Sequence, residues 1–389
     1  MTEKLFDADS YLSEFQCKVI NLYVEDGKIC VETDRTAFFP EGGGQTSDRG
    51  WLENCYVENV QIIDGHIIHF VENSEENVKT LQKEGLICGK IDMKKRFSDM
   101  QQHTGEHIFS GIVNSLYGYN NVGFHLGSEI VTLDFDGVLN EEDMCKVENL
   151  VNKAVWDNLE IKVLFPSDEE LKDIKYRSKI EIEGQVRIVE IPGVDICACC
   201  APHVKRTGEI GIVEVVNFEK YKGGTRVSIL CGERALQDIR HKLNENRKVS
   251  VLTCSKQGET GEAVERLKGE NEKLKYEING LNRQILESKA NSIKEENRII
   301  VFDKMLEGKL LSDFTISLMP KAKAFIASFC GENDSYRYCI ASENVDLRPL
   351  CKELNSRFSG RGGGKPEIVQ GSLAGTEEEI RAFLDNIAL

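Results

Sequence analysis

The sequence predicts an α+β chain in four parts: an N-terminal small β-barrel, an α+β domain holding a zinc site, a helical coiled-coil linker and a small α/β C-terminal domain. Three observations predict it. Apolar alternations broken by Asp26-Gly27 and Asp64-Gly65 fill the first ninety residues, and Asp-Gly between such alternations is a hairpin signal. Two pairs of metal-ligand residue types, His103 with His107 and Cys199 with His203, each stand at i, i+4. From Val264 onward apolar residues recur at alternating spacings of three and four. At 389 residues the chain exceeds one ordinary core. The boundaries fall at 1–92, 93–235, 236–298 and 299–389.

In the first part the pattern predicts strands over 18–25, 28–33, 50–60, 66–71 and 85–92, mostly antiparallel and closing into a barrel. Among them runs Thr36-Ala37-Phe38-Phe39-Pro40-Glu41-Gly42-Gly43-Gly44-Gln45. Three consecutive glycines forfeit side-chain packing, so they belong where positive φ or close backbone approach is needed.

In the second part a helix over 98–117 carries His103 and His107 one turn apart, so both rings project from one face. Met100, Ile108, Ile112, Val113 and Leu116 supply its apolar face. A second helix is expected over 140–159, with Asn140 as N-cap and Glu141, Glu142 and Asp143 at the positive dipole end. Strands are expected over 130–135, 161–165, 186–191, 208–218 and 224–230. The loop 197–203 cannot be regular helix because Pro202 lacks the N–H, so Cys199 and His203 must converge through a tight turn. One cysteine and three histidines make a normal ligand set for one Zn2+ per chain.

In the linker, Val264, Leu267, Asn271, Leu274, Ile278, Leu281 and Ile285 form a heptad seam with one polar position, flanked by Glu, Lys and Arg. It suits either an intramolecular hairpin with 236–256 or a homodimer. The last ninety residues alternate strand and helix over 299–302, 314–319, 322–330, 336–341 and 347–358, and end in a helix capped by Thr376 with Glu379 in a capping box. A glycine-rich loop there, Gly362-Gly363-Gly364 between Arg361 and Lys365, offers free amides and two cations to a phosphate backbone.

The net charge of −16 falls entirely in residues 1–240, with 26 basic and 42 acidic side chains, whereas 241–389 is neutral overall. Strong non-specific polyanion binding is thereby disfavoured, but an RNA partner for the back half is not excluded. The N-terminus has no basic or apolar leader pattern and no run of eighteen apolar residues occurs, so a cytoplasmic location without membrane contact is expected. Thirteen cysteines, an odd number, favour reduced thiols over a disulfide framework.

The string Phe38 to Gln45, the pair His103 and His107, the loop Cys199 to His203 followed by Thr207-Gly208-Glu209-Ile210-Gly211, and Gly223-Gly224-Thr225-Arg226-Val227 resemble, in order, the editing domain of alanyl-tRNA synthetase and its free-standing long AlaX-type relatives. The tail around Arg361–Lys365 resembles the C-terminal domain that the synthetase shares with DHH-type phosphoesterases. What the resemblance implies is hydrolysis of the ester joining serine, possibly glycine, to alanine tRNA. It also implies metal ligation by His103, His107, Cys199 and His203, an active-site role for Gln45, and Thr36 facing the amino-acid side chain. Cys200 departs from the glycine usual in the synthetase. The amides of Gly43 and Gly44 suit an oxyanion.

Two other classes stay open. His103-Thr104-Gly105-Glu106-His107 also spells H-x-x-E-H, the inverted zinc-peptidase signature with Glu106 as base. The alternative is a non-catalytic tRNA-binding module whose zinc is structural.

Overall fold

The first ninety residues fold as a seven-stranded antiparallel sheet. Its spatial order is Glu14–Cys17, Ile87–Ile91, Gly50–Leu52, Cys55–Ile63, His66–Glu72, Lys28–Thr33 and Val19–Glu25. This is a computed structural model, and it describes residues 2–178, 185–332 and 334–387. Asp26-Gly27 and Asp64-Gly65 both turn with positive φ at each residue, as tight primed hairpin turns require. The expected strand over 50–60 is two strands, reversed between Leu52 and Cys55 through Glu53 at φ 51°. Leu52, Cys55 and Val57 are all buried, so the apolar pattern runs through the turn and hides it.

No barrel closure is seen among the described residues. The two edge strands, Glu14–Cys17 and Val19–Glu25, follow one another through Lys18 alone, so the edges of the sheet meet at that residue, but the two strands are not hydrogen-bonded to each other. The sheet instead curls over its own core, where Phe38 packs with Ile29, Val31, Leu52 and Val57. A helix that the pattern did not announce, Glu75–Leu81, is capped by Ser74.

Next comes the helix Met93–Tyr117, which begins five residues earlier than expected because the Asp92 carboxylate caps the amides of Lys94 and Lys95. Its Met100, Ile108, Phe109 and Val113 enter a second core with Leu133, Val147 and Val227. Ile112 is half-buried, and Leu116, assigned to the same face, is exposed. Around this helix lie a four-stranded sheet ordered Asn121–Leu126, Val131–Phe135, Gly224–Cys231, Val213–Tyr221 and a three-stranded one ordered Lys162–Leu164, Ile188–Ile191, Asp195–Ala198. Residues 208–210, expected to open a strand, lie instead in a single 3-10 turn, Thr207–Ile210. The helix Glu141–Trp156 has the expected Asn140 cap, with Asp143 completing a capping box.

The chain divides into two compact units, Met1–Lys248 and Val249–Leu389. In the second unit the long helix Thr260–Ser292 precedes a five-stranded sheet ordered Glu296–Phe302, Ala322–Glu332, Ser335–Ala341, Ile368–Ala374, Arg361–Lys365. Two strands follow one another over 322–341, where alternation with helix was expected. The glycine-rich segment is not a loop: Arg361–Lys365 is the exposed edge strand of that sheet. Gly362 pairs with Gly371 above Tyr338, whose Oη would sit 2.3 Å from a Cβ on Gly362, so the glycines serve strand pairing over that ring. Thr376 and Glu379 form the expected capping box. All thirteen cysteines are free thiols, and no described helix is long and apolar enough to cross a membrane.

Candidate metal centre

The helix bearing the histidine pair is buried on nearly every side because two glycines let its neighbours close in. A Cβ at Gly105 would lie 2.3 Å from Cys231 Sγ, and one at Gly111 would lie 2.5 Å from the Val194 carbonyl. Close docking against the strand Asp195–Ala198 brings the following loop, Cys199 to His203, over His103 and His107. The donor atoms of His103, His107, Cys199 and His203 all lie within 4.8 Å of one another, and Cys199 is the only one of the four that is not fully buried. Cys200 is exposed and takes no part in the cluster.

The spacings suit a tetrahedral ion. With metal–sulfur and metal–nitrogen bonds of about 2.3 and 2.05 Å, tetrahedral angles put sulfur and nitrogen about 3.6 Å apart. Cys199 Sγ is 3.6 Å from His103 Nε2 and 3.3 Å from His203 Nε2.

Each imidazole is held from behind by its Nδ1. His103 donates to Gln45 Oε1 at 2.6 Å, His107 to Asp195 Oδ2 at 3.1 Å, and His203 Nδ1 lies 3.1 Å from Thr104 Oγ1. An amide oxygen and a carboxylate can only accept, so the proton sits on Nδ1 of His103 and His107 and the Nε2 lone pair is left for the cluster. Asp195 is itself gripped by Arg177 through bonds of 2.7 and 2.9 Å.

The electrostatics suit a cation. Burial alone raises the Cys199 thiol, but His103 and His203 outweigh it and hold the thiol well below its ordinary range, favouring the thiolate. Burial depresses His203 to about 3, leaving it neutral. At His107 burial works downward too, yet Cys197, Asp195 and Cys199 prevail and raise it. Without metal this buried cluster therefore attracts a proton, the charge that a metal displaces on binding. The donor set, the spacing and the outer hydrogen bonds all fit a divalent metal ion.

Gln45 arrives from the glycine-rich turn. Gly42 and Gln45 exchange backbone bonds of 3.1 and 3.0 Å around Gly43 at φ 61° and Gly44 at φ 83°. Leu126 N donates to the Gly44 carbonyl, pinning the turn to a strand, and a Cβ on Gly44 would strike the Phe124 carbonyl at 2.6 Å. The buried Gln45 carboxamide is thereby driven against His103, and its Nε2 has no protein partner. Arg96 holds the base of this string: it forks onto Asp48 and donates to the carbonyls of Ala37 and Ser10.

Thr36 is fully buried away from these contacts, with Oγ1 2.8 Å from His69 Nε2. His69 Nδ1 faces the Val31 carbonyl at 3.0 Å and must carry its proton, so Thr36 donates to Nε2 and accepts from Phe38 N. Burial lowers His69 to about 4. Glu106 Oε1 accepts from Ser110 Oγ and Asn121 Nδ2, each at 2.7 Å, while its Oε2 lies 3.8 Å from His107 Nε2. Arg361, Lys365 and Gly362 to Gly364 lie in the other compact unit.

Sequence reasoning missed Asp195, Arg177, Thr104 and His69. Asp195 had a signal: with Cys197 and Cys199 it shares one face of a period-two strand. Arg177 and His69 had none, since their partners are 18 and 33 residues away.

Residues 186–228 match the model of the threonyl and alanyl tRNA synthetase second additional domain. The chain is 28% identical to the alanyl-tRNA editing protein AlaX-L of Pyrococcus horikoshii, over 98% of the chain and 96% of that protein. It is 26% identical to the alanine–tRNA ligase of Methanobrevibacter smithii over its whole length, spanning 45% of the ligase. Among solved structures it matches the C-Ala domain of Aquifex aeolicus alanyl-tRNA synthetase over 24% of this chain and 96% of that one, at 19% identity and a TM-score of 0.21 that carries no structural argument. The likeness read from the motifs thus extends along the sequence: the chain is a relative of the long AlaX-type alanyl-tRNA editing proteins.

Proposed function

We propose that the chain is a trans-editing hydrolase that deacylates mischarged alanine tRNA, cleaving chiefly the ester to serine and, second to it, the ester to glycine. The observation that carries this reading is Gln45, a buried carboxamide joined by one end to a metal-type cluster and unpartnered at the other. Zinc held by His103, His107, Cys199 and His203 would supply Lewis acidity and hold the substrate ester. Gln45 Nε2 would donate to the ester carbonyl oxygen as charge develops there, joined by the exposed amides of Gly43 and Gly44. Such a donor contributes about 3–4 kcal/mol to transition-state stabilisation. Gln45 Oε1 meanwhile keeps His103 in the tautomer that offers Nε2 inward.

Serine and alanine differ by one hydroxyl. Thr36 has spent its proton on His69 and one lone pair on Phe38, so its one remaining lone pair could accept from a serine hydroxyl, which alanine lacks, only if substrate binding uncovers this fully buried oxygen. Within this reading the chemistry belongs to 93–235 with the glycine-rich string of 1–92. Arg361 and Lys365, with those amides of the Gly362–Gly364 edge strand not spent on pairing with Ile368–Ala374, contact tRNA backbone. A deacylation assay on serine, glycine and alanine esters of alanine tRNA, with and without chelator, tests it. Chelator-sensitive loss of the serine ester with the alanine ester spared is expected; no hydrolysis by metal-loaded protein would leave a binding module.

A further inference from the structure

Among the described residues two arginines are buried, Arg96 and Arg187, and they spend their charge differently. Arg96 forks onto the Asp48 carboxylate at 2.8 and 3.0 Å, so direct bonds neutralise it. Arg187 instead donates from Nη1 to two backbone carbonyls, Cys199 at 2.7 Å and Ala201 at 2.9 Å. The described carboxylate within ion-pair distance of it, Asp7, stands 3.8 Å from Nε, beyond hydrogen-bond reach, and Nε has no partner. A buried cation without a bonded counter-ion is costly, so its place marks something that needs its charge or its geometry.

The two carbonyls belong to the loop that carries the ligands. Arg187 directly precedes the strand Ile188–Ile191, whose partner Asp195–Ala198 runs straight into Cys199, and Cys199 N donates to the Arg187 carbonyl at 3.0 Å. From that register the side chain reaches across the turn. One NH2 group has two protons, and giving one to each carbonyl curls residues 199–201 around it. With these carbonyls turned to the guanidinium, the Ala201 amide faces Cys199 Sγ at 3.4 Å, and Ala201 itself seats in the front-sheet core. Ser10 Oγ donates to the next carbonyl in the series, that of His203, at 2.8 Å.

We propose that Arg187 is a positioning residue for the metal ligands: its guanidinium sets the 199–203 loop so that Cys199 Sγ and His203 Nε2 face His103 and His107 before an ion arrives. The proposal rests on the reading of this cluster as a metal site. Arg187 touches neither ion nor substrate in it. Holding the loop in its bound shape removes the cost of ordering it on binding. The carbonyl bonds carry this effect, and the distant Asp7 does not.

Titration of the metal-stripped full chain with Co2+ against a competing chelator tests this without reference to hydrolysis. A thiolate ligand gives cobalt a charge-transfer absorption, which wild type should show. Arg187→Met keeps the apolar stem, and should lower affinity about 10- to 100-fold and weaken that absorption. Arg187→Lys keeps the charge without the planar fork and should lower affinity about 10-fold; it carries the test if Arg187→Met does not fold. Asp7→Asn should leave affinity unchanged. Urea unfolding of the metal-free variants reads the fold separately, because a group that only braces the fold shifts the midpoint and leaves the affinity and spectrum of the folded protein as in wild type. Wild-type affinity and absorption in Arg187→Lys, or in a folded Arg187→Met, would overturn the role of Arg187 and leave the metal centre standing. A loss in Asp7→Asn as large as in Arg187→Met would overturn it in favour of the ion pair. No cobalt binding by wild type would overturn the metal centre and this proposal together.

Discussion

The two long helices of this chain obey opposite rules. Met93–Tyr117 buries 15 of its 25 residues, Thr260–Ser292 only 3 of 33. The first carries arginine, aspartate, glutamines, histidines and glutamate inward, and each finds a specific partner: Arg96 on Asp48, Gln102 on the backbone of Cys231, His107 on Asp195. The second turns its leucines and isoleucines to solvent. One helix is thus polar inside because its interior is a site, while the other leaves an apolar stripe in solvent; hydrophobicity alone orders neither.

The sharpest way to break this contrast is at the cluster. Cys199→Ala with His203→Ala is expected to carry no metal by elemental analysis and to hydrolyse the serine ester at background rate, while Cys200→Ala keeps both. Full metal in the double variant would remove the site. Next comes Gln45→Ala. It should lower kcat about 100- to 1000-fold. Metal affinity should also fall about 10- to 100-fold, because His103 loses its orienting acceptor. Titration with a competing chelator separates the two effects, and an unchanged kcat would remove Gln45 from the active site.

A matched pair of truncations compares the helices directly. Ile108→Ala, in a fully buried position, should cost about 2–5 kcal/mol in urea unfolding. Leu274→Ala should change it by less than about 0.5 kcal/mol under monomeric conditions. Equal losses would mean that the second helix already has an intramolecular partner.

A pH experiment probes burial inside the front sheet. His69 has a folded pKa of about 4 against 6.5 when unfolded. The unfolded chain therefore binds the proton first, and stability falls as pH drops from about 6.5 to about 4, by up to about 3 kcal/mol. Urea unfolding of wild type against His69→Gln at each pH isolates this group from the metal ligands; parallel curves would show His69 not to be buried neutral. The smallest effect belongs to the exposed edge strand. Arg361→Ala with Lys365→Ala should flatten the salt dependence of tRNA binding by about two phosphate contacts, and an unaltered slope would exclude this strand from the RNA surface.

Legibility followed the range of the interaction. The heptad, the Asn140 and Thr376 caps and the i, i+4 ligand spacings were readable because each lies within a turn or two of chain, where helix geometry alone relates the residues. Whether the front sheet closes was not readable, because closure turns on hydrogen bonds between its two edge strands, which no alternation pattern encodes. The glycine run at 362–364 looked like a loop because nothing local announces Tyr338, 24 residues before Gly362, beneath it.

By itself the sequence determined which residue types could meet: three histidines and a cysteine with the spacing of ligands, and one helix with apolar residues repeating at a and d positions. Only the tertiary structure decided what stands behind each ligand. Asp195, Arg177, Thr104 and the Gln45 carbonyl come from four separate segments, and their choice of tautomer and charge depends on burial, a property of the packed chain that no local spacing contains.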